Sequence, residues 1–252
     1  MQTKPKISII TVVFNSRSLI EATMNSVLEQ TYSPIEYIIV DGGSTDGTVQ
    51  LIEQYRSKLD VFLSEKDNGI YDAMNKGLQR ATGEYVLFMN AGDLFFDVSV
   101  LEQVFAGGNH ADVYYGNTKI IDKEGNILGD RRLKPPVVLD WRSLRFGMCV
   151  CHQSFIAKRS LCEPYNLKYR LSADIDWVIR VLKQAQTIKN SRITISKFLE
   201  GGSSAKGRLI ALVERFKIMV KYYGLLPTVF NHIYITVRFL FQKIFRANSS
   251  LL

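Results

Sequence analysis

The first ninety residues alternate between short apolar runs and stretches in which apolar residues recur every three or four positions. Ile7-Ser8-Ile9-Ile10-Thr11-Val12-Val13-Phe14 is a nearly continuous apolar run that stops on Asn15-Ser16-Arg17. Ser18 to Gln30 then carries Leu19, Ala22, Val27 and Leu28 at helical spacing, with Ser18 as N-cap and Glu21 as its capping-box partner. The alternation continues with a strand from Ile35 to Val40, a helix opened by Thr45-Asp46-Gly47-Thr48 and reaching about Lys58, and a short strand from Leu59 to Ser64. A helix from Tyr71 to Ala81 and a strand from Tyr85 to Met89 follow, with Asp97 as the cap of the next helix. Strands that are apolar on both faces need helices on both sides, so this half predicts a Rossmann-like, mostly parallel sheet flanked by helices.

The second half is more mixed. Val113 to Ile121 and Ile127 to Leu133 flank Lys123-Glu124-Gly125-Asn126, a hairpin signal. Cys151 to Ala157 and Ile193 to Phe198 read as strands, and Ala173 to Gln184 as a helix with Val178, Val181 and Leu182 inward. The chain has 252 residues, enough for one α/β domain with an appendage. The expected division is a domain over 1–204 and a basic, amphipathic helical extension over 205–252.

Charge sharpens that division. The extension holds eight Lys and Arg residues against Glu214 alone, so +7 of the net +8 lies there. A nearly neutral body argues against nucleic acid as a partner, and the charged tail points to something anionic. Three cysteines, Cys149, Cys151 and Cys162, give no disulfide framework and suit a reducing compartment. Cys149-Val150-Cys151 lacks a second pair at zinc spacing, so core thiols are the better reading. The N-terminus shows no export leader, and no stretch reaches the ~20 uncharged apolar residues of a spanning helix.

Two of the predicted strands end on acidic residues. Val40-Asp41-Gly42-Gly43 closes one and Asn90-Ala91-Gly92-Asp93 follows another. Open α/β sheets bind ligands just outside the carboxyl ends of their strands. A carboxylate at such an end can accept a nucleobase N–H or ribose hydroxyls, and one beside a diphosphate can hold Mg²⁺ or Mn²⁺. Turn or cap duty is the plainer alternative for each aspartate, above all Asp46.

The motifs taken together resemble family 2 glycosyltransferases of the GT-A fold, and among them bacterial enzymes of exopolysaccharide, O-antigen and colanic acid assembly. The match runs from Ile7 to about Ala205. It rests on Ile9–Asn15, on Val40-Asp41-Gly42-Gly43-Ser44-Thr45-Asp46-Gly47-Thr48 against the family's V-D-D-G-S-x-D-G-T, and on Gly69-Ile70-Tyr71-Asp72-Ala73-Met74-Asn75-Lys76-Gly77. Gly42 stands where that element has its second Asp, and Asn90-Ala91-Gly92-Asp93 keeps only the last carboxylate of an Asp-x-Asp-Asp element. The resemblance implies a donor site of Thr11, Val13, Asn15, Asp41, Asp72, Asn75, Asn90, Ala91 and Gly92, with Asp93 as the ligand of Mn²⁺ or Mg²⁺. It implies His152 and Gln153 on the acceptor side, with a satisfied structural histidine as the alternative. In Ala173-Asp174-Ile175-Asp176 it places the general base at Asp174, with Asp176 as its rival and pairing with Arg180 open to whichever aspartate is not the base. The Gln-x-x-Arg-Trp signature of processive relatives is absent, so transfer of single sugars is expected.

The implied reaction is inverting transfer from a nucleotide-diphosphate sugar, most simply UDP-linked, to a lipid-linked saccharide. A polyprenyl-phosphate acceptor and a non-catalytic relative are the rivals. Leu209, Leu212, Val213, Phe216, Met219 and Val220, then Val229, Phe230, Ile233, Tyr234 and Val237 onward, repeat at helical spacing among basic residues. That pattern suits helices lying on an anionic membrane surface, and hence a peripheral place on the cytoplasmic face. Helices packed on the core or in a homodimer share the same periodicity.

Overall fold

β1 (Ile7–Val13) is buried along its whole length and organises the sheet. It runs parallel to β2 (Ile35–Asp41) on one side, with Val13 opposite Asp41, and to β4 (Tyr85–Phe88) on the other. β2 in turn pairs in parallel with β3 (Val61–Ser64). The chain therefore moves outward from β1 to β3 and then returns across β1 to β4. This reversal opens a crevice at the carboxyl ends of β1 and β4. The computed structural model describes residues 4–108, 110–201 and 207–235.

The remaining strands extend the sheet in the order β3-β2-β1-β4-β8-β6-β9-β5, with β7 also on β6. β6 (Val113–Ile121) and β9 (Ile188–Leu199) are parallel to each other. β5 (Leu94–Phe95), β7 (Ile127–Asp130) and β8 (Phe155–Lys158) enter antiparallel. Period-two alternation sorts β1 onto two cores. Ile10 and Val12 pack with α3 (Ile70–Arg80) and α5 (Ala173–Gln184), whereas Ile7, Ile9 and Val13 pack with α1 (Arg17–Leu28) and α4 (Val100–Phe105).

Several element boundaries differ from those the periodicity predicts. α1 starts at Arg17 after Ser16, and the Ser18–Glu21 box does not form. Its first amides are met from another element: Asp46 Oδ2 accepts from Arg17 N at 3.1 Å and Thr48 Oγ1 from Ser16 N at 3.1 Å. Glu21 accepts from Tyr55 Oη instead. The helix expected up to Lys58 stops at Glu53 as α2 (Thr48–Glu53), and a 3-10 turn covers Arg56–Lys58. α4 has Ser99 at its N-cap, and Asp97 bonds the Ser99 amide and hydroxyl. His152–Ser154 form a 3-10 turn before β8, not the start of the strand. β9 begins five residues before Ile193. A register shift against β6 and a positive φ of 60° at Arg192 break the alternation that marks a strand in sequence.

The extension begins as α6 (Arg208–Tyr223), which packs on α5. Ala211, Ile218 and Met219 are buried, and buried Glu214 accepts from the amides of Arg170 (2.7 Å) and Leu171 (2.9 Å). Fully buried Asp176 accepts from Arg180 Nε at 3.0 Å, Lys221 Nζ at 2.9 Å and Tyr222 Oη at 2.8 Å. Burial alone would raise its pKa, but the bonds from Lys221 and Tyr222 and the charge of Arg180 outweigh burial and lower it. Tyr223 stacks on Trp141 with ring centres 5.5 Å apart. Of the apolar residues expected to lie in a membrane surface, Met219 thus turns inward, whereas Leu209, Leu212 and Val213 are exposed. A further helix spans 225–235, and the rest of the expected amphipathic pattern lies outside the described residues. Among the described residues no helix is long and apolar enough to cross a membrane.

This packing makes a testable demand. A chain ending at residue 204 removes Ile218 and Met219 from the core and strips Asp176 of two partners. Breaking a buried ion pair costs about 3–5 kcal/mol, so the truncated chain is expected to lose its cooperative urea transition. An unchanged transition midpoint would show α6 to be dispensable for the fold.

Candidate active site

Two cavities of about 240 Å³ each line the crevice and share Ile70, Asn90 and Ala91. The first is walled by Val12, Val13, Phe14 and Asp67; the second holds Asp93, His152, Gln153 and Asp174. The loop after β4 reaches both because it follows β1 closely: Met89 N donates to Ile10 O (2.9 Å) and Ala91 N to Val12 O (3.1 Å).

Asp41 is fully buried at the end of β2. Its Oδ2 accepts from Gly43 N (3.0 Å), Ser44 N (3.0 Å) and Ser64 Oγ (2.8 Å), while Oδ1 finds no partner among the described residues. Asn15 joins the same loop to β1. It sits at φ 46°, a left-handed conformation Asn tolerates better than most residues, and is held by Ser44 Oγ and the Thr45 amide. A Cβ on Gly42 would lie 2.3 Å from Asp67 Oδ2. The carboxylate of Asp67, on the loop before α3, thus fills the space a side chain at position 42 would take.

Of the residues implied by the resemblance at the donor, Val13, Asn90 and Ala91 line these cavities, whereas Thr11, Asn75 and Asp72 are engaged elsewhere. Thr11 is fully buried inside the sheet, two residues short of the strand end, and its hydroxyl lies 3.1 Å from Tyr37 Oη. Asn75 is spent on the backbone of Tyr165, donating to its carbonyl (3.0 Å) and accepting from its amide (2.6 Å). Asp72 faces its own loop and accepts from the amide and side chain of Asn68.

Asn90-Ala91-Gly92-Asp93 is a tight turn, closed by Asp93 N donating to Asn90 O at 2.9 Å. Gly92 has φ 98° and its amide donates to Thr23 Oγ1; a Cβ there would meet Leu199 at 2.7 Å. Asp93 accepts from Gln153 Nε2 (2.5 Å) and Leu199 N (3.0 Å). Burial pushes its carboxyl up to about 6, despite those two bonds and the nearby His152. Gln153 therefore stands against the expected metal ligand.

Asp174 opens α5 and is about a quarter exposed (24 %), within the second cavity. Tyr71 Oη donates to its Oδ1 at 3.2 Å, and His152 Nδ1 lies 3.9 Å from its Oδ2. His152 Nε2 is 3.0 Å from Asn90 Nδ2, so one imidazole spans the two acidic strand and helix ends. Burial raises the Asp174 pKa, but His152 and the charge of Arg215 outweigh it and leave the carboxyl lowered. Asp176, two residues on, points into the α5–α6 contact instead and pairs with Arg180. The sequence reasoning missed Asp67, Tyr71, Arg131 and Arg215, all of which line these cavities. For Asp67 a signal existed: an extra acidic residue just ahead of the Gly69 motif in a chain with Gly at 42.

The residues fit a divalent cation shared with a diphosphate. Asn90 Oδ1 is buried without a partner among the described residues, and Asp93 accepts only from neutral donors in the contacts above. Both are hard oxygen donors of the kind Mg²⁺ and Mn²⁺ take. Among the described residues no cluster of three or more His, Cys, Asp or Glu could hold an ion by itself, so most ligands would have to come from substrate and water.

Two predictions follow from this geometry. Gly42→Asp should push the Asp67 carboxylate aside and weaken UDP binding, and Gly42→Asp with Asp67→Gly should restore it; calorimetry with UDP reads both. A double variant no better than the single would refute the shared space. Asp93 carries a raised folded pKa, so its ionisation costs stability as pH rises through about 4 to 6. In metal-free protein at pH 8, Asp93→Asn should unfold at higher urea, by up to about 3 kcal/mol.

Known proteins resemble this chain over most of its length. The family model described as Glycosyl transferase family 2 matches residues 8–165. A PGL/p-HBAD biosynthesis glycosyltransferase of Mycobacterium bovis is 31% identical over 208 residues, covering 79% of this chain and 78% of that protein. A putative teichuronic acid biosynthesis glycosyltransferase, TuaG of Bacillus subtilis, is 43% identical over 93 residues, 36% of this chain and 37% of that one. Among solved structures, S. aureus TarS 1-349 in complex with UDP superposes with a TM-score of 0.66 at 22% identity, over 86% of this chain and 70% of that one. The mannosyltransferase PcManGT of Pyrobaculum calidifontis, in complex with GDP-Man and Mn²⁺, does so with a TM-score of 0.65 at 18% identity, over 93% and 70%. The fold is thus the mixed α/β sheet with flanking helices shared by GT-A glycosyltransferases, and the chain belongs to glycosyl transferase family 2.

Proposed function

We propose that the chain is an inverting glycosyltransferase of surface-polysaccharide synthesis that moves one sugar from a UDP-linked donor to a lipid-linked saccharide. The observation that carries this reading is Asp174: a carboxylate kept ionised, partly open to the cleft, and oriented by Tyr71 and His152. The relatives named for teichuronic acid and PGL synthesis, and the UDP bound to TarS, support the substrate class.

In this reading the donor's base enters beside Val13 and Asp67, and its imide N–H reaches inward to the buried, unpartnered Oδ1 of Asp41. Asn90 and Asp93 face the diphosphate. A divalent cation held there would neutralise charge on the leaving group. Asp174 accepts the proton of the acceptor hydroxyl as that oxygen bonds to the anomeric carbon and the bond to the diphosphate breaks. Attack opposite the leaving group inverts the centre. Tyr71 and His152 hold the carboxylate in one orientation, and His152 ties it to Asn90 on the donor side. Leu225, Leu226, Phe230 and Ile233 are exposed on the helix over 225–235, which supports peripheral attachment to an anionic membrane at the cytoplasmic face.

Release of UDP from a panel of UDP-sugars, with and without Mn²⁺, tests the activity. Asp174→Asn should keep donor affinity and slow transfer by ~10²–10⁴. Asp41→Ala should instead weaken UDP binding by about 1–3 kcal/mol. If Asp174→Asn transfers at the wild-type rate, the base lies elsewhere.

A further inference from the structure

The central cavity continues into a third, of about 540 Å³, with which it shares Arg131, Met148, Phe198 and Arg215. Four arginines line this third cavity, Arg131, Arg132, Arg145 and Arg215, and no carboxylate does so among the described residues. Arg131 Nη1 is buried with no partner among the described residues. A buried guanidinium nitrogen without an acceptor is costly unless a ligand supplies one. Arg145 stacks over Phe146 at 4.8 Å, which fixes its fork at the rim. Guanidinium groups are donors only and match phosphate oxygens in pairs. A neutral saccharide, which offers as many donors as acceptors, would use such a wall poorly.

The rest of the wall is apolar. Phe146, Leu212 and Met219 lie beside the arginines, and the cavity runs along α6 to the helix over 225–235. Half of the Leu212 side chain faces solvent, and Phe230 and Ile233 are exposed on the neighbouring helix. Anion-binding and lipid-compatible surfaces therefore meet in one cavity whose inner end opens on Asp174.

We propose that this cavity seats the phosphate or diphosphate of an amphiphilic acceptor, clamped by Arg131, Arg132, Arg145 and Arg215, with its lipid leaving along α6 and its sugar reaching Asp174. The assignment rests on the glycosyltransferase reading above. It gives the acceptor two parts with separate recognition: a charged anchor held by arginines and a hydroxyl presented to the base. Arg215 then serves both, since its charge also acts on Asp174.

The test uses the full chain, saturated with UDP in chelator-treated buffer so that the donor site is filled. Dodecyl diphosphate, inorganic diphosphate and dodecyl maltoside are titrated by calorimetry. Dodecyl diphosphate should bind at least tenfold more tightly than either of the others. Arg145→Glu, at an exposed position, and Arg132→Glu should each weaken it at least tenfold with UDP affinity unchanged. Equal affinity for inorganic diphosphate would overturn the lipid part, and dodecyl diphosphate binding untouched by both variants would overturn the clamp. If UDP fails to bind while arginine-dependent binding of dodecyl diphosphate persists, the transferase reading falls and the cavity assignment stands.

Discussion

Two backbone hydrogen bonds at the end of one strand set the spacing of the cleft. Gly42 N donates to Val13 O and Ala91 N to Val12 O, each near 3 Å. They continue the β1 ladders past the last regular residues of β2 and β4. As a result the two acidic strand ends are held on either side of β1, with no loop freedom between them. Neither bond involves a side chain, so the spacing follows from parallel pairing and the reversal of strand order alone. What the sequence varies is the chemistry presented on that frame.

That chemistry depends on unequal treatment of like groups. Asp93 and Asp174 line one cavity, and burial acts on both. In Asp93 burial wins, and the carboxyl is raised to about 6, because its partners are an amide side chain and a backbone N–H. In Asp174 the imidazole of His152 and the guanidinium of Arg215 reverse the outcome. Pushing the pKa values of two carboxylates apart is how a single site assigns them different duties. A poorly compensated carboxylate suits a group that gains its counter-charge with a ligand. A compensated one suits a group that must be ionised before substrate arrives.

Much of this was legible in the sequence. The apolar alternation predicted the parallel half of the sheet, and the element around Asp41 located the crevice. The second half was harder to read because its strands are antiparallel insertions, and β9 carries a bulge that hides its first residues. Thr11 and Asn75 lie in matching motifs yet turn inward, since a motif fixes position along the chain and not depth within the sheet or the nearest carbonyl. The different surroundings of Asp174 and Asp176 depend on Lys221 and Tyr222, which are more than forty residues away. Asp67 filling the space beside Gly42 is likewise a contact between two loops that no local pattern encodes.

The contact between α5 and α6 has a consequence for how the molecule can be divided. Asp174 and Asp176 sit within one turn of α5, and Asp176 is bonded to α6 through Lys221 and Tyr222. Asp174 and the start of the basic extension are therefore tied through one helix. An exchange of segments between relatives that cuts between these helices would leave Asp176 with Arg180 alone, without Lys221 and Tyr222. A unit that runs from the turn at His152 through Tyr223 keeps Asp174, His152 and the α6 anchor together as a single inherited block, and leaves Tyr71 as the contact that a chimera must match across the seam.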